Sequence, residues 1–351
     1  MSTTNYIETI RDNFKKLLEK TKYDAENNKP ISTNIQFKIR HYQKIVGLLK
    51  KITSITKTDD VKGLPGFGKG TLERITEIIE TGSVKELNDS SITNSEISEY
   101  SKLQQITGIG PKKAKQLLNL SINLDFLLSI KDDDAKLKEY KITHHQKMGL
   151  RYFEDTQKRI PHEQISKFDK ILQTIANELK ISLTICGSYR RKLKTSGDID
   201  VLATHKTWNN ASKCKNGLMG VLDKLRKKQL IKDDLTASKQ LKTKYMGFVK
   251  IPYFSQICRI DIRAVLYSQS VPAILYFTGS QAENIRIRNK ALSLGYKLNE
   301  YGLFKIPKLT FYDSSDEEDN NQKNNNTEVK LKTEKHLYEL LEEEYKKPEE
   351  R

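Results

Sequence analysis

Cysteine is scarce in this chain of 351 residues: Cys186, Cys214 and Cys258 stand far apart, and no C-x-x-C pair occurs. That spacing excludes a zinc ribbon, a dithiol redox motif and a disulfide framework, and it favours structural thiols in a reducing compartment. Long apolar runs are missing too. Nowhere do about 18 consecutive apolar residues occur, and the N-terminal MSTTNYIETIRDNFKK has no apolar stretch of the signal-peptide kind. Acidic residues are the third shortage, with 45 Asp and Glu against 62 Lys and Arg, a formal charge of +17. Five of those acids fall between Asp313 and Asp319, so the rest of the surface is more basic than the average. Such an excess implies a polyanionic partner, nucleic acid first, and says nothing about fold.

The length suits two or three compact domains at about 100 to 200 residues each. Residues 6–57 read as two helices in a hairpin, with Ile39, Tyr42, Ile45, Val46 and Leu49 at helical spacing and a turn at Asn28–Pro30. VKGLPGFGKGTLERITEIIE and LQQITGIGPKKAKQLLNL then repeat one plan: an apolar residue, Gly-x-Gly, and an amphipathic helix. In each, the glycine pair (Gly66 and Gly68, Gly108 and Gly110) lets backbone approach a partner closely, and the N–H groups of the helix start face an anion. A phosphate backbone fits that description. Two copies in a basic chain resemble helix-hairpin-helix units, which grip DNA without reading bases. That resemblance implies a monovalent cation on the hairpin carbonyls, here Lys62, Leu64 and Phe67, and Gln104, Ile106 and Ile109.

From Ile165 the pattern changes to an amphipathic helix followed by strand-prone runs at LTICGSY, DIDVLAT, GFVKIPYF and ICRIDIRAVLY, with a helix near 217–227. A helix over PAILYFTGSQAENIRIRNKALSLG, a hairpin at YKLNEYGLFKI, an acidic Asn-rich loop over 313–327 and a last helix at EKHLYELLEEEYKK complete a chain read as multidomain α+β, its middle part an α/β or α+β sheet domain. Within DIDVLAT, strand alternation puts Asp198 and Asp200 on one face and Ile199 and Val201 on the other. In RIDIR, Arg259, Asp261 and Arg263 share a face in the same way. Carboxylates held this close repel unless a cation sits among them, and few carboxylates with room for phosphate oxygens suit Mg²⁺. Upstream, Gly187 permits close approach to a triphosphate, Ser188 adds a hydroxyl, and Arg190 or Arg191 supplies charge-assisted bonds. Gly-Ser, then Asp-x-Asp, then a third strand Asp resembles the nucleotidyltransferase superfamily signature.

The segments LPGFG, ITGIGPKKA, HHQKMGLRYFEDTQKRIPHEQ, CGSYRRKLKTSGDIDVLATH, RIDIR, YFTGS, NEYGLF and YKKPEER, in this order, resemble a family X DNA polymerase of the polymerase beta plan, without a BRCT-like domain ahead of them. The resemblance implies a helical lyase-like domain over 1–95 and a helical DNA-binding subdomain over 96–158, each with one hairpin. A catalytic palm over 159–267 and a nucleotide-selection or thumb subdomain over 268–351 follow. It implies gap filling in base excision repair by two-metal nucleotidyl transfer from dNTP to a primer 3′-hydroxyl, with two Mg²⁺ or Mn²⁺. Asp198 and Asp200 would bind both metals, and Asp261 the catalytic one. Arg159, Gly187, Ser188, Arg191 and Gly197 would hold the triphosphate, and Tyr276, Phe277, Gly279 and Asn284 the sugar and base. Arg259 would pair with the carboxylates beside the DNA, and Arg288 would face the template. Partners would be gapped or nicked duplex DNA and dNTPs, with a DNA ligase or an AP endonuclease as candidate proteins, no membrane, a monomeric state and an intracellular location at DNA.

Two departures matter. Gln281 stands where the family usually has an acid beside the base. Arg74 stands where the lyase lysine belongs, and a guanidinium that stays protonated forms no Schiff base. Lys38, Tyr42 and Lys62, with Lys69 nearby, match a 5′-phosphate pocket, while Phe37, Gly70 and Glu86 replace its basic positions. The domain is expected to bind a 5′-phosphate weakly and to lack lyase activity, or to use Lys38 or Lys69 instead. The YF pair and the short DLTASKQLKTKYMGF link resemble the templated members. An RNA nucleotidyltransferase and a noncatalytic gap-binding protein are the rival readings; the two hairpins argue against the first, and three retained Asp against the second.

Overall fold

A computed structural model of the chain describes residues 4–27, 32–88, 93–306 and 327–351. The turn at Asn28–Pro30 and, but for Thr327, the acidic segment 313–327 lie outside them. The chain divides into two units, Met1–Arg151 and Tyr152–Arg351. No helix among the described residues is long and apolar enough to cross a membrane.

The first unit is helical. Helices α1 (Ile7–Asn27) and α2 (Thr33–Leu49) form the expected hairpin. Their apolar stripes meet through Ile10, Phe14, Leu17, Tyr42, Ile45 and Leu49, joined by Ile75 and Ile78 of α3 (Lys69–Thr81). Each fully buried side chain of this kind contributes about 1.5–3 kcal/mol. Helix α2 stops at Leu49, short of the 57 expected, because Asn5 and Tyr6 pin the following segment extended: Ile55 N donates to Asn5 Oδ1 at 3.0 Å and Tyr6 N to Ile55 O at 2.8 Å. After α4 (Lys85–Asn88), Thr93 and Glu96 cap α5 (Asn94–Leu103) reciprocally. Then come α6 (Pro111–Asn119), α7 (Leu124–Ser129), α8 (Asp134–Glu139) and α9 (His144–Arg151).

The second unit begins with α10 (Phe153–Thr156) and is built on a five-stranded sheet. Strand β1 (Ile160–Pro161) pairs with β3 (Thr195–Ser196) apart from it. The main sheet runs β2 (Ser182–Ile185), β4 (Ile199–Thr204), β7 (Ile257–Ala264), β6 (Lys244–Lys250), β5 (Ile231–Asp234), with β4 and β7 parallel and the other pairs antiparallel. Helices α11 (His162–Leu179) and α13 (Ala211–Lys227) cover one face, where Phe168, Leu172, Leu218 and Val221 bury Ile199, Val201, Ile260 and Ile262. Period-two alternation therefore leaves Asp200, Arg259, Asp261 and Arg263 on the other face.

Four expectations are corrected here. LTICGSY is a strand only to Ile185, because Gly187 at φ 58° turns the chain into the short helix α12 (Gly187–Arg190). The strand expected at GFVKIPYF begins earlier, at Lys244, and ends at Lys250. The single helix expected from Pro272 is two, α14 (Ser270–Thr278) and α15 (Gln281–Ser293): Gly279 leaves the helix at φ 70°, and Ser280 caps α15 by accepting from Glu283 N at 3.3 Å. Strands β8 (Tyr296–Asn299), β9 (Gly302–Lys305) and β10 (Thr327–Val329) make a second sheet. Helix α16 (Glu334–Leu340), shorter than the helix expected, packs Leu337 and Tyr338 with Ile287, Ala291, Leu298 and Leu303.

Candidate active site

Strand β4 begins one residue after Asp198, and Asp200 lies opposite Asp261 in the parallel β4–β7 ladder. Burial, then the carboxylates of Asp198 and Asp261, push the Asp200 carboxyl up to about 7. Arg259 answers part of this charge: its Nη2 donates to Asp198 Oδ2 at 2.5 Å, and its Nε lies 3.6 Å from Asp261 Oδ1. A divalent cation suits the donors, since hard carboxylate oxygens with excess negative charge face an open cleft. Among the described residues no three His, Cys, Asp or Glu side chains stand close enough together to hold a metal ion, and Asp198 is ion-paired with Arg259.

That cleft has a volume of about 730 Å³. Arg159, Gly187, Ser188, Arg191, Gly197, Asp198 and Asp200 line it on the sheet side, and Tyr276, Phe277, Gly279, Gln281, Asn284 and Arg288 on the α14–α15 side. Asp261 opens instead on a neighbouring pocket shared with Asp200, Arg263 and Glu300. Most groups are held in place. Arg159 donates from Nε to Thr195 Oγ1 at 3.1 Å and from Nη2 to Thr195 O at 2.8 Å, while Ser188 Oγ donates to Ser196 Oγ at 2.8 Å. Gly187 has a reason beyond its positive φ: a Cβ there would lie 2.6 Å from Asp200 Oδ2. Asn284 Nδ2 donates to Tyr276 O at 2.8 Å, and the Arg288 guanidinium sits 4.8 Å from the Tyr276 ring centre and 3.6 Å from Glu300.

The two arginines left as alternatives part company. Arg191 lines the cleft, whereas Arg190 turns to Thr278 and Glu334. Sequence reasoning missed Leu193, Thr278 and Ile285 on the cleft wall. It missed Glu334 as well, because that residue follows the acidic segment and no spacing ties it to α12.

Family models described as DNA polymerase beta palm and DNA polymerase beta thumb match residues 159–267 and 273–351, and a helix-hairpin-helix domain matches 11–84. The chain belongs to the polymerase beta-like family X. DNA polymerase lambda of Arabidopsis thaliana is 28% identical over 322 residues, 88% of this chain and 57% of that protein. DNA polymerase lambda of Rattus norvegicus is 29% identical over 269 residues, 75% of this chain and 44% of its own length. DNA-directed DNA/RNA polymerase mu of Homo sapiens is 25% identical over 162 residues, 45% of this chain and 31% of that one. This family X chain thus spans about half the length of the curated lambda relatives it matches.

Away from the cleft, the hairpins of this family X chain repeat one another. Phe67 N donates to Leu64 O at 3.1 Å and Ile109 N to Ile106 O at 3.0 Å, with Gly66 and Gly108 at φ 104° and 89°. Gly68 and Gly110 are the N-caps of α3 and α6. Lys62 ends the turn before the first hairpin with an exposed side chain, and Gln104, the C-cap of α5, donates to Glu19 at 3.2 Å. Near the first hairpin, Arg74 is committed: it pairs with Glu86, donates from Nη1 to Gly70 O at 2.7 Å and lies 5.7 Å from the Tyr42 ring centre. Tyr42 is buried, donates to Glu86 at 3.2 Å, and has its phenol pushed up to about 12, by burial first and then by Glu86. Lys38 and Lys69 are exposed, Lys69 only 4.0 Å from Glu73, and neither belongs to this cluster.

Proposed function

We propose that the chain is a templated, DNA-directed DNA polymerase that fills short gaps in repair intermediates. The observation that carries this reading is the cleft of the second unit that brings the anion-gripping groups Arg159, Gly187, Ser188 and Arg191 together with the carboxylates of Asp198 and Asp200. Gly187, Ser188, Arg191 and Arg159 would grip the dNTP triphosphate, Arg191 and Arg159 through charge-assisted hydrogen bonds. Gly197 leaves the approach open, since a Cβ there would meet only Arg159 Nη1, at 3.4 Å. Tyr276, Phe277 and Gly279 would pack on the sugar, Asn284 would reach the base edge, and Arg288, resting on Tyr276, would face the template. Asp198, Asp200 and Asp261 would hold divalent cations, with Arg259 steadying Asp198. Bound cations of this kind activate a hydroxyl nucleophile and neutralise charge on the transferred phosphoryl group. The hairpin amides would hold the DNA backbone of gapped or nicked duplex without reading sequence, so binding would weaken steeply with salt.

No Schiff-base chemistry is assigned to position 74, where the guanidinium stays protonated and is tied to Glu86. An RNA nucleotidyltransferase has no need of two DNA-backbone hairpins, and a noncatalytic gap binder has no need of the clustered carboxylates.

Incorporation of dNTP on one-nucleotide-gap, recessed and unprimed DNA tests the reading. Asp200→Ala and Asp261→Ala should each abolish gap filling while DNA affinity stays within about a factor of two, because phosphate contacts dominate that affinity. Full incorporation by either variant would remove the carboxylates from the reaction. Equal incorporation on unprimed DNA would remove the templated, primer-dependent part.

A further inference from the structure

Arg190 and Arg191 grip opposite sides of one residue. Arg191 Nη1 donates to the backbone carbonyl of Thr278, and Arg190 Nη1 donates to Thr278 Oγ1 at 2.7 Å. Thr278 is itself fully buried and forms part of the cleft wall. The next residue, Gly279, runs so close to Arg191 that a Cβ there would lie 3.0 Å from its Nη1. The reach of Arg191 into the cleft is therefore set by where Thr278 stands.

Arg190 is held from behind. Its Nη1 and Nη2 donate to Glu334 Oε1 and Oε2 at 3.2 and 2.6 Å, a two-pronged pair that fixes direction as well as distance. Glu334 Oε1 also accepts from Arg351 Nη1 at 2.6 Å. The Arg351 side chain is 0% exposed. Its Nε donates to Lys346 O at 2.9 Å, and its guanidinium carbon lies 5.6 Å from the ring centres of both Tyr338 and Tyr345. Two arginines thus share one carboxylate that is itself only 10% exposed. Breaking such a group by deleting one member strands a buried charge, so the remaining members must move. A purely structural clamp could end anywhere in the thumb core. This one ends on Thr278, the residue that seats a cleft arginine.

We propose that Glu334 and Arg351 are positioning residues for the triphosphate end of the cleft, acting through Arg190 and Thr278 on Arg191. The proposal rests on reading the cleft as the nucleotide site.

Equilibrium binding of dNTP to the full chain, on gapped DNA with a dideoxy-terminated primer and Mg²⁺, tests it. Arg351→Ala should weaken dNTP binding about tenfold, as a displaced positioning group does. Arg351→Lys keeps the charge beside Glu334 and should recover part of the loss. Thr278→Val preserves shape, removes the oxygen that Arg190 holds together with its bond to Ile274 O, and should cost about threefold, since Arg190 keeps its pair with Glu334. Affinity for the gapped DNA itself should not change in any variant, and KM for dNTP should rise more than kcat falls. Wild-type dNTP affinity in folded Arg351→Ala would overturn the proposal. Should Arg351→Ala not fold, wild-type affinity in Thr278→Val would overturn it. A wild-type chain that binds gapped DNA but no dNTP would overturn the reading of the cleft itself, an outcome that no variant produces.

Discussion

The two hairpins of the helical unit share a backbone and differ in what stands behind it. Behind the second, α9 presses against the turn: a Cβ on Gly149 would lie 2.1 Å from Thr107 O, and Gln146 Nε2 donates to Gly108 O at 3.0 Å. Gly108 also faces the His145 ring, 2.6 Å from where its Cβ would be. Behind the first hairpin, the three atoms nearest a Cβ built on Gly66 are side-chain ends, Leu48 Cδ1 at 2.8 Å, Lys44 Cε at 3.2 Å and Lys44 Nζ at 3.6 Å. One turn rests on backbone and a ring, the other on groups that can rotate away. Equal sequence signatures, LPGFG and ITGIG, therefore conceal unequal stiffness, and the tolerance of each hairpin to substitution reads it out.

The sharpest way to break the comparison is Gly149→Ala. A methyl driven against the Thr107 carbonyl should destabilise the chain by about 3 kcal/mol, measured by urea denaturation, because the opposing group is backbone and cannot turn aside. A loss under about 0.5 kcal/mol, the level of an ordinary surface change, would mean that α9 yields and the second hairpin is no stiffer than the first. Next in size is the pair Gly108→Ala and Gly66→Ala. Both pay about 1–2 kcal/mol for a left-handed backbone. Only the first also meets a ring braced by α9, so Gly108→Ala should cost more stability and more affinity for duplex DNA. Equal losses in the two would erase the distinction. The smallest effect belongs to Gln146→Ala, which removes one donor from Gly108 O and should cost about 1 kcal/mol of stability, with a raised rate of amide exchange at Ile109 rather than at Phe67. Unchanged exchange at Ile109 would show that the glutamine does not stiffen the turn.

What could be read in advance was what depends on local periodicity. Alternation in DIDV and RIDIR put the isoleucines in the core and the acids on the opposite face, and so Asp200 and Asp261 lie in β4 and β7, while Asp198 stands one residue ahead of β4. The change of period near Ile165 marked where a sheet domain follows the helical part, without separating α/β from α+β. The break at Gly279 was hidden because apolar spacing continues through it, while a Gly-Ser cap inside such a run looks like any other pair of small residues. Local pattern left Arg190 and Arg191 as alternatives, since adjacent residues on a four-residue helix carry no periodic signal, and only the family resemblance pointed to Arg191. The answer depends on Glu334, which no spacing relates to α12. Gly149 was illegible for the same reason: its neighbour Thr107 belongs to another element.

Because β4 and β7 are parallel, the chain must pass through α13, β5 and β6 before Asp261 comes to lie beside Asp200. That contact is non-local, and its loop closure has to occur before the two strands can pair. A nascent chain that has completed only β4 therefore carries Asp198 and Asp200 without the third carboxylate or Arg259. The repulsion that Asp261 adds to the cleft therefore arises only with the pairing of β7 to β4, the same step that buries Ile260 and Ile262 against the helices.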